Sequence, residues 1–221
     1  MAGWFITMEG PDGSGKTTQI QLLKQELQKQ GYEVLVTREP GGTSIGEQIR
    51  KVILDVNNVA MDPMTEAILY AAARAQHVKE LIQPALEQNK IVLCDRFLDS
   101  SIAYQGVARG LGMDMVEGLN HYATGGLNPD ITFFIDMDPV MGLQRKKNQT
   151  QLDRLEKETL DFHQKVYKGY LALWKKYPDR IHRISGDDQV ESIHQQIMSK
   201  VKERIKRGLS YEYEINHGCH S

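Results

Sequence analysis

The sequence of 221 residues predicts an α/β fold in which a doubly wound parallel sheet of five strands carries helices on both faces. Five short apolar segments have strand length, and several are almost continuously hydrophobic, which is typical of strands buried on both faces of a parallel sheet. Longer segments of helical periodicity separate them, and this alternation indicates βαβ units with right-handed crossovers. Such sheets bind ligands beyond the carboxyl ends of their strands, so we expect the functional residues there.

The elements follow one another regularly along the chain. The predicted strands are 4–9, 33–37, 91–95, 131–136 and 181–185. The predicted helices are 17–30, 63–87, 155–177 and 189–207. The first of these helices repeats Ile20, Leu23 and Leu27 on one face and ends at Gly31, a residue that is common just after a helix C-terminus.

Two segments depart from this pattern. Residues 145–154 are polar and basic and join two helical segments, so we predict a small mobile lid at about 143–156. The tail 210–221 lacks helical periodicity, and we expect it to be irregular. The sequence therefore predicts one domain over 1–209, followed by a tail.

Composition excludes several classes of protein. Lys plus Arg is 27 and Asp plus Glu is 29, a net charge of −2, which argues against a protein that coats nucleic acid or an anionic membrane. No apolar run approaches the length of about 18 residues that a membrane span needs. Two cysteines, Cys94 and Cys219, argue against a disulfide scaffold and for a reducing compartment. Because residues 1–9 also lack the basic start of a signal peptide, we expect a cytoplasmic protein.

The strongest motif follows the first predicted strand and opens the first helix. Residues 10–17 read Gly-Pro-Asp-Gly-Ser-Gly-Lys-Thr, the phosphate-binding P-loop pattern in its strand–loop–helix context. Its glycines let backbone N–H groups approach a phosphate, Lys16 neutralises the β- and γ-phosphates, and the Thr17 hydroxyl is suited to Mg²⁺. The predicted phosphate-binding residues are Gly10, Pro11, Asp12, Gly13, Ser14, Gly15, Lys16, Thr17 and Thr18. The motif predicts a P-loop NTPase fold that binds a nucleoside triphosphate.

Two arginines predict a second anion site beside this loop. Arg38 follows the second predicted strand and Arg96 the third, so both belong to the ligand-binding edge of the sheet. A guanine-reading motif of a GTPase switch is not supported, because its only near match, 89–92, lacks the required acid. The two arginines are better explained as the binding site for the acceptor phosphate of a kinase.

Several segments together resemble the bacterial thymidylate kinases. They are 5–18, 37–42 (Thr-Arg-Glu-Pro-Gly-Gly), 95–106 (Asp-Arg-Phe-x-Asp-Ser-Ser-x-Ala-Tyr-Gln-Gly) and 127–130 (Leu-Asn-Pro-Asp). The resemblance spans about residues 3–207. It implies a nucleoside monophosphate kinase that transfers a phosphoryl group from ATP to dTMP with Mg²⁺, gives ADP and dTDP as a step in dTTP synthesis, and forms a homodimer.

The resemblance also assigns an acceptor site. The residues it implies for dTMP are Asp12, Arg38, Glu39, Pro40, Arg50, Tyr70, Arg74, Arg96, Ser101, Tyr104 and Gln105. Arg38 and Arg96 hold the phosphate, and Asp12 accepts a hydrogen bond from the sugar 3′-OH. Tyr70 stacks on thymine, Arg74 donates to a thymine carbonyl, Gln105 pairs with the N3–H edge, and Tyr104 crowds the 2′ position. Asp95 holds Mg²⁺ through water and fixes Arg96.

The family has two variants, one with an arginine inside the P-loop and one with it in the lid. Positions 11–14 contain no arginine, so this chain resembles the lid variant. Arg154 matches the lid arginine. Arg145 is a second candidate, which would either stack on adenine or contact a phosphate. The residues implied for catalysis are Lys16, Asp95, Arg96 and Arg154, with Thr17 and Asp95 at the metal.

The expected chemistry needs no general base. A phosphate monoester has a second pKa near 6, so at pH 7 the acceptor is mostly a dianion and is already a nucleophile. Catalysis then rests on alignment and charge neutralisation. Two alternatives remain open: another nucleoside-phosphate kinase such as a deoxynucleoside kinase, and a nucleotide-dependent binding module that hydrolyses ATP slowly. Turnover of a panel of acceptors would distinguish a dTMP kinase from another nucleoside-phosphate kinase. Absence of acceptor-stimulated ADP release would indicate the binding module.

Overall fold

The central sheet has five parallel strands in the order β2-β3-β1-β4-β5. The strands are β1 (Trp4–Glu9), β2 (Val34–Arg38), β3 (Ile91–Asp95), β4 (Ile131–Asp136) and β5 (Ile181–Ser185). This computed structural model describes residues 3–147 and 152–217, with side chains for 3–145 and 152–206. Strand β3 lies between β2 and β1, and the three strands are parallel. Their carboxyl ends are therefore neighbours at one edge of the sheet. The predicted fold class is confirmed, and the strand bounds differ from the prediction only at β2.

Helices cover both faces of the sheet. They are α1 (Lys16–Lys29), α2 (Ser44–Leu54), α3 (Pro63–His77), α4 (Gln83–Glu87), α5 (Leu98–Ser101), α6 (Met113–Thr124), α7 (Pro139–Lys147), α8 (Leu160–Lys176) and α9 (Val190–His217). A π-helical segment, Val78–Ile82, joins α3 to α4, and a second one, Ile102–Ala108, continues α5. Within α5 and its π-helical continuation lie the residues of the Asp-Ser-Ser-x-Ala-Tyr-Gln-Gly motif.

Two hydrophobic clusters form the core, one on each face. Ile6 and Met8 of β1 pack with Leu23 of α1 and with Ile197 of α9. Phe5, the neighbour of Ile6, instead belongs to the cluster on the opposite face, which includes α3, α8 and both π-helical segments. Alternate residues of β1 thus serve opposite faces, as expected for a strand that is covered on both sides.

Three helix predictions need correction. Helix α8 begins at Leu160 rather than at 155, because Thr159 caps it by accepting a hydrogen bond from the Phe162 amide. Before this cap, Asp153 Oδ1 accepts from the amides of Leu155 and Glu156 and holds a turn. The predicted helix 63–87 is interrupted by the first π-helical segment.

The third correction concerns the tail. Helix α9 continues to His217, so the expectation of an irregular chain is wrong for 210–217; no proline interrupts these residues. Residues 218–221 lie outside the described part of the chain, as do 148–151 of the predicted lid. None of the described helices combines the length and hydropathy that a membrane span requires.

Candidate active site

The P-loop connects β1 to α1 across residues 10–15. Gly10, Gly13 and Gly15 have φ values of 136°, 75° and 93°, which side chains rarely adopt. The loop also packs closely on α7, since a Cβ at Gly13 would lie 2.3 Å from the carbonyl oxygen of Gly142. Glycine is therefore required at position 13 by both conformation and space.

Lys16 lies buried at the start of α1 and folds back over the loop. Its Nζ donates to the carbonyl oxygens of Gly10 (3.1 Å) and Pro11 (2.8 Å). Burial, together with the charge of Arg96, lowers the pKa of Lys16 to about 8, although Asp95 and Asp12 oppose the shift. The ammonium is still mostly protonated at pH 7 and available to a phosphate.

Thr17 and Asp95 form the predicted metal pair. The Thr17 hydroxyl donates to Asp95 Oδ2 over 3.0 Å, and both side chains line the same cavity. Within the described residues no group of three or more histidine, cysteine, aspartate or glutamate side chains forms a metal cage. Two hard oxygen donors fit Mg²⁺, which usually keeps several waters and takes its remaining ligands from substrate phosphates.

A single cavity of about 800 Å³ extends from the P-loop across the carboxyl edge of the sheet. It brings together most of the predicted site. The predicted residues that line it are Asp12, Gly13, Gly15, Lys16, Thr17, Thr18, Arg38, Glu39, Pro40, Arg50, Tyr70, Arg74, Asp95, Arg96, Ser101, Tyr104, Gln105 and Arg145. Gly10, Pro11, Ser14 and Arg154 do not line it. A volume in this range suits small-molecule ligands.

Arg96 lines this cavity and has a left-handed backbone conformation, with φ of 70°. Its Nη2 donates to Asp12 Oδ1 (2.9 Å), and its Nη1 donates to Ser100 Oγ (3.2 Å) and Tyr170 Oη (3.0 Å). In this structure Arg96 donates its hydrogen bond to Asp12, whereas Asp95 accepts one from Thr17, so the role of Asp95 in fixing Arg96 stays a prediction.

Glu9, which the sequence reasoning missed, supports this arrangement from β1. Its buried carboxyl accepts from the amide of Phe97 (2.8 Å), the Ser100 hydroxyl (2.6 Å) and the Tyr170 hydroxyl (3.0 Å). Burial and the charge of Asp99 raise the pKa of Glu9 to about 7, against the opposing charge of Arg96. A glutamate at the end of a buried strand is the only sequence signal that pointed to it.

Arg38 and Arg50 meet at the Pro40 carbonyl. Arg38 Nη1 and Arg50 Nη1 donate to this oxygen over 2.9 Å and 2.8 Å, and the Glu39–Pro40 peptide bond is cis. Arg38 also pairs with Glu47 at 3.0 Å and is about half exposed. Both guanidinium groups border the cavity.

Arg74 is fully buried, and protein atoms take up its donors. It bonds Glu39 through Nε (2.7 Å) and Nη2 (2.6 Å), Ser101 Oγ through Nη1 (3.0 Å) and the Phe97 carbonyl through Nη2 (3.1 Å), and it also donates to Asn120. Its predicted donation to thymine would therefore compete with these acceptors. Glu39 and Ser101 were also predicted at the dTMP site, and Arg74 already donates a hydrogen bond to each of them.

His77 completes this buried group and was also missed. Its Nδ1 lies 2.9 Å from Glu39 Oε1, and its Nε2 lies 2.7 Å from Thr37 Oγ1. Tyr70, Arg74 and His77 are spaced four and three apart on α3 and therefore share a face. That spacing was the signal from which His77 was predictable.

The two lid arginines have different surroundings. Arg154 is buried, donating to the Ile53 carbonyl (2.8 Å) and to Glu66 Oε2 (2.6 Å), and it is not among the residues that line the cavity. The predicted position of Arg154 at the phosphates is thus not observed, because Glu66 on α3 holds it. Arg145 on α7 lines the cavity instead. The side chains of Lys146 and Lys147 lie outside the described residues.

The fold and this cavity define a P-loop α/β protein with a phosphate-binding loop and a second, arginine-lined site. The family model for thymidylate kinase matches residues 8–197. The chain is 50% identical over 208 residues to a thymidylate kinase of Exiguobacterium, covering 94% of this chain and 98% of that protein. It is 52% identical over 204 residues to the thymidylate kinase of Latilactobacillus sakei, covering 91% and 95%.

A solved structure agrees with these relatives. The crystal structure of thymidylate kinase from Ehrlichia chaffeensis matches with a TM-score of 0.75 and 34% identity, covering 91% of this chain and 100% of that one. The chain belongs to the thymidylate kinase family. It is therefore an enzyme, a nucleoside monophosphate kinase of the family that phosphorylates dTMP to dTDP.

Proposed function

We propose that this enzyme transfers the γ-phosphoryl group of ATP in line to the phosphate of dTMP, giving ADP and dTDP without a general base. The observation that carries the proposal is the continuity of one cavity, which joins Lys16 and Thr17 at the P-loop to Arg38 and Arg96 and then to Gln105. Donor phosphates, acceptor phosphate and acceptor base thus have adjoining places at one sheet edge.

Charge neutralisation is assigned to named groups. The P-loop amides and Lys16 bind the donor phosphates, and Arg38 and Arg96 bind the acceptor phosphate with planar guanidinium groups. Thr17 and Asp95 are the residues that would hold Mg²⁺, which neutralises charge on the donor phosphates when bound. Asp12, which lies next to Arg96, accepts a hydrogen bond from the sugar 3′-OH.

The acceptor phosphate serves as its own nucleophile. Among the described residues that line the cavity there is no histidine or cysteine that would act as a base or nucleophile. A phosphate dianion needs only alignment and exclusion of water. Arg145, which borders the cavity, is the described lid arginine best placed to meet the transferring group.

The base site lies at the far end of the cavity. Tyr70 provides a buried ring, and Gln105 provides an amide oxygen that has no hydrogen-bond partner among the described residues. A buried, unpaired acceptor is costly, and the thymine N3–H would satisfy it. Tyr104, whose ring lies under the Arg96 guanidinium, borders the sugar.

The test is ADP release from ATP and Mg²⁺ with and without an acceptor. Strong stimulation by dTMP, with dTDP as product and little response to thymidine, is expected, together with weaker turnover of dUMP, dCMP and dGMP. Preference for thymidine would indicate a deoxynucleoside kinase. Absence of stimulation by every acceptor in a folded, ATP-binding protein would overturn the proposal in favour of a binding module.

We also propose that the enzyme is a homodimer that acts in the cytoplasm, where ATP and dTMP are available. Helices α2 and α3 pack on each other and leave four large apolar side chains exposed: Ile45, Val52, Met64 and Ile68 are 49%, 47%, 39% and 50% accessible. A second copy that covers this α2/α3 face would bury them.

A further inference from the structure

A buried carboxylate stands behind the base site without touching the cavity. Glu66 of α3 has no exposed surface and receives four hydrogen bonds. Its Oε1 accepts from Gln105 Nε2 (2.9 Å) and Arg109 Nε (3.2 Å), and its Oε2 accepts from Arg109 Nη2 (3.1 Å) and Arg154 Nη2 (2.6 Å). The carboxylate therefore joins α3, the second π-helical segment and the predicted lid.

The partners of Glu66 keep it ionised. Burial alone would raise the pKa of Glu66, but the hydrogen bonds from Arg109, Gln105 and Arg154 lower it below its usual value. An ionised carboxylate accepts hydrogen bonds and has no proton to donate. Toward the neighbouring Gln105 amide, Glu66 can therefore act only as an acceptor, whereas a neutral side chain with a donor group could also donate.

An amide beside an acceptor-only group has one stable orientation. If Gln105 were rotated by half a turn about its last torsion, its carbonyl oxygen would face the carboxylate and no hydrogen bond would remain. The NH₂ group consequently points at Glu66, and Oε1 points away from it. Gln105 lines the cavity, and this Oε1 is the buried atom that no described residue pairs with.

We propose that Glu66 is a positioning residue that fixes the Gln105 amide with its oxygen toward the acceptor base, and so selects pyrimidines that carry a proton at N3. This inference rests on the proposed function and deepens it. Thymine and uracil present an N3–H donor to that oxygen, whereas N3 of cytosine presents a lone pair, which would leave two acceptors opposed.

The test compares dUMP with dCMP, because both lack the thymine methyl group and they differ only on the edge that is read. In Glu66→Gln the new amide can donate to Gln105 as well as accept from it, so both orientations of Gln105 become stable. We expect the ratio of kcat/KM for dUMP over dCMP to fall about tenfold, mainly through KM. Glu66→Asp, which remains acceptor-only, should keep the ratio even where both rates fall.

Glu117→Gln is the matched control. Glu117 on α6 accepts from Lys176 at 2.8 Å and is an ion-paired carboxylate outside the cavity. It should leave the dUMP to dCMP ratio unchanged. In a Gln105→Ala background, Glu66→Gln should no longer alter the ratio, because the amide through which it acts is gone.

Three results would overturn the inference: equal losses on dUMP and dCMP in Glu66→Gln, an altered ratio in Glu66→Asp, or an effect of Glu66→Gln that persists without Gln105. The unaltered enzyme supplies a check that is independent of how Glu66→Gln folds. Of the two Gln105 side-chain amide protons, assigned by their loss in Gln105→Ala, the one donated to Glu66 should exchange slowly with water and shift little when dTMP binds.

A large shift and faster exchange of the proton donated to Glu66 on dTMP binding would show that this hydrogen bond breaks, and would refute the orientation. The proposed function fails separately, since an unaltered enzyme that does not phosphorylate dTMP would contradict it whatever Glu66 does. If the unaltered enzyme phosphorylates dTMP but Glu66→Gln leaves the ratio of kcat/KM for dUMP over dCMP unchanged, only the inference about Glu66 is contradicted.

Discussion

Lys16 shows how one residue's charge depends on its surroundings. Its ammonium is buried against backbone carbonyls and close to Arg96, and both burial and this charge favour loss of the proton. Because the pKa of Lys16 in the free enzyme is lowered from 10.5 to about 8, the charge that we propose binds the phosphates is present below about pH 8 and is lost above it.

We predict that affinity for the triphosphate falls as the pH rises through about 8, by up to about tenfold per unit, until the pKa of the complex is reached. Calorimetric titration between pH 7 and 9.5 measures this. Lys16→Arg, which stays charged, should bind more weakly but with little pH dependence. Affinity of the unaltered enzyme that stays constant over this range would contradict the shift.

The lid arginines give a second prediction at the residue scale. Arg154→Ala removes one of the donors to buried Glu66, so we expect a stability loss of about 1–3 kcal/mol and a lower Tm. Arg145→Ala removes a cavity charge, so we expect a kcat loss with an unchanged Tm. Thermal melts and steady-state kinetics separate the two. A large kcat loss in Arg154→Ala at constant Tm would instead favour the catalytic role that the family resemblance implies.

At the scale of elements, the P-loop depends on α7. A Cβ at Gly142 would lie 2.2 Å from the carbonyl oxygen of Asp12, so the helix and the loop pack backbone against backbone. Two main chains that approach this closely leave no room for a side chain. The shape of the phosphate site is therefore set partly by a helix that contributes no motif residue to it.

Gly142→Ala should displace the loop and weaken triphosphate binding about tenfold or more, because the contact atom is backbone and cannot rotate away. Gly118→Ala on α6 is the matched control, since a Cβ there meets nothing within 4 Å. This control should leave binding unchanged and stabilise the protein by about 0.5–1 kcal/mol. Equal affinities for the two variants, measured by titration, would show that the loop does not depend on α7.

At the scale of the whole molecule, the two faces of the sheet are covered but the α2/α3 face is not. Ile68→Asp should shift the protein from dimer to monomer in light scattering at micromolar concentration, because a charge would be buried in the proposed interface. Val140→Asp, at an exposed position in the first turn of α7, is the control and should leave the mass unchanged. A monomeric unaltered protein would refute the dimer.

Much of the fold was predictable because its signals are local. Each strand is a short apolar segment, and its bounds follow from where hydrophobicity starts and stops. The P-loop is one contiguous segment whose glycines, lysine and threonine act where they stand in the chain. Helix ends were less predictable, as at α8, where the Thr159 cap and the turn held by Asp153 decide the start.

The sequence by itself determined the sheet, the phosphate loop and the set of polar side chains at its edge. Only the tertiary structure decided how those side chains pair. Arg74 bonds Glu39 from 35 residues away, Gln105 bonds Glu66 from 39, and Arg154 bonds Glu66 from 88. The physical reason is that a hydrogen bond or a shifted pKa depends on which groups burial brings within about 3 Å, and chain order alone does not specify that distance.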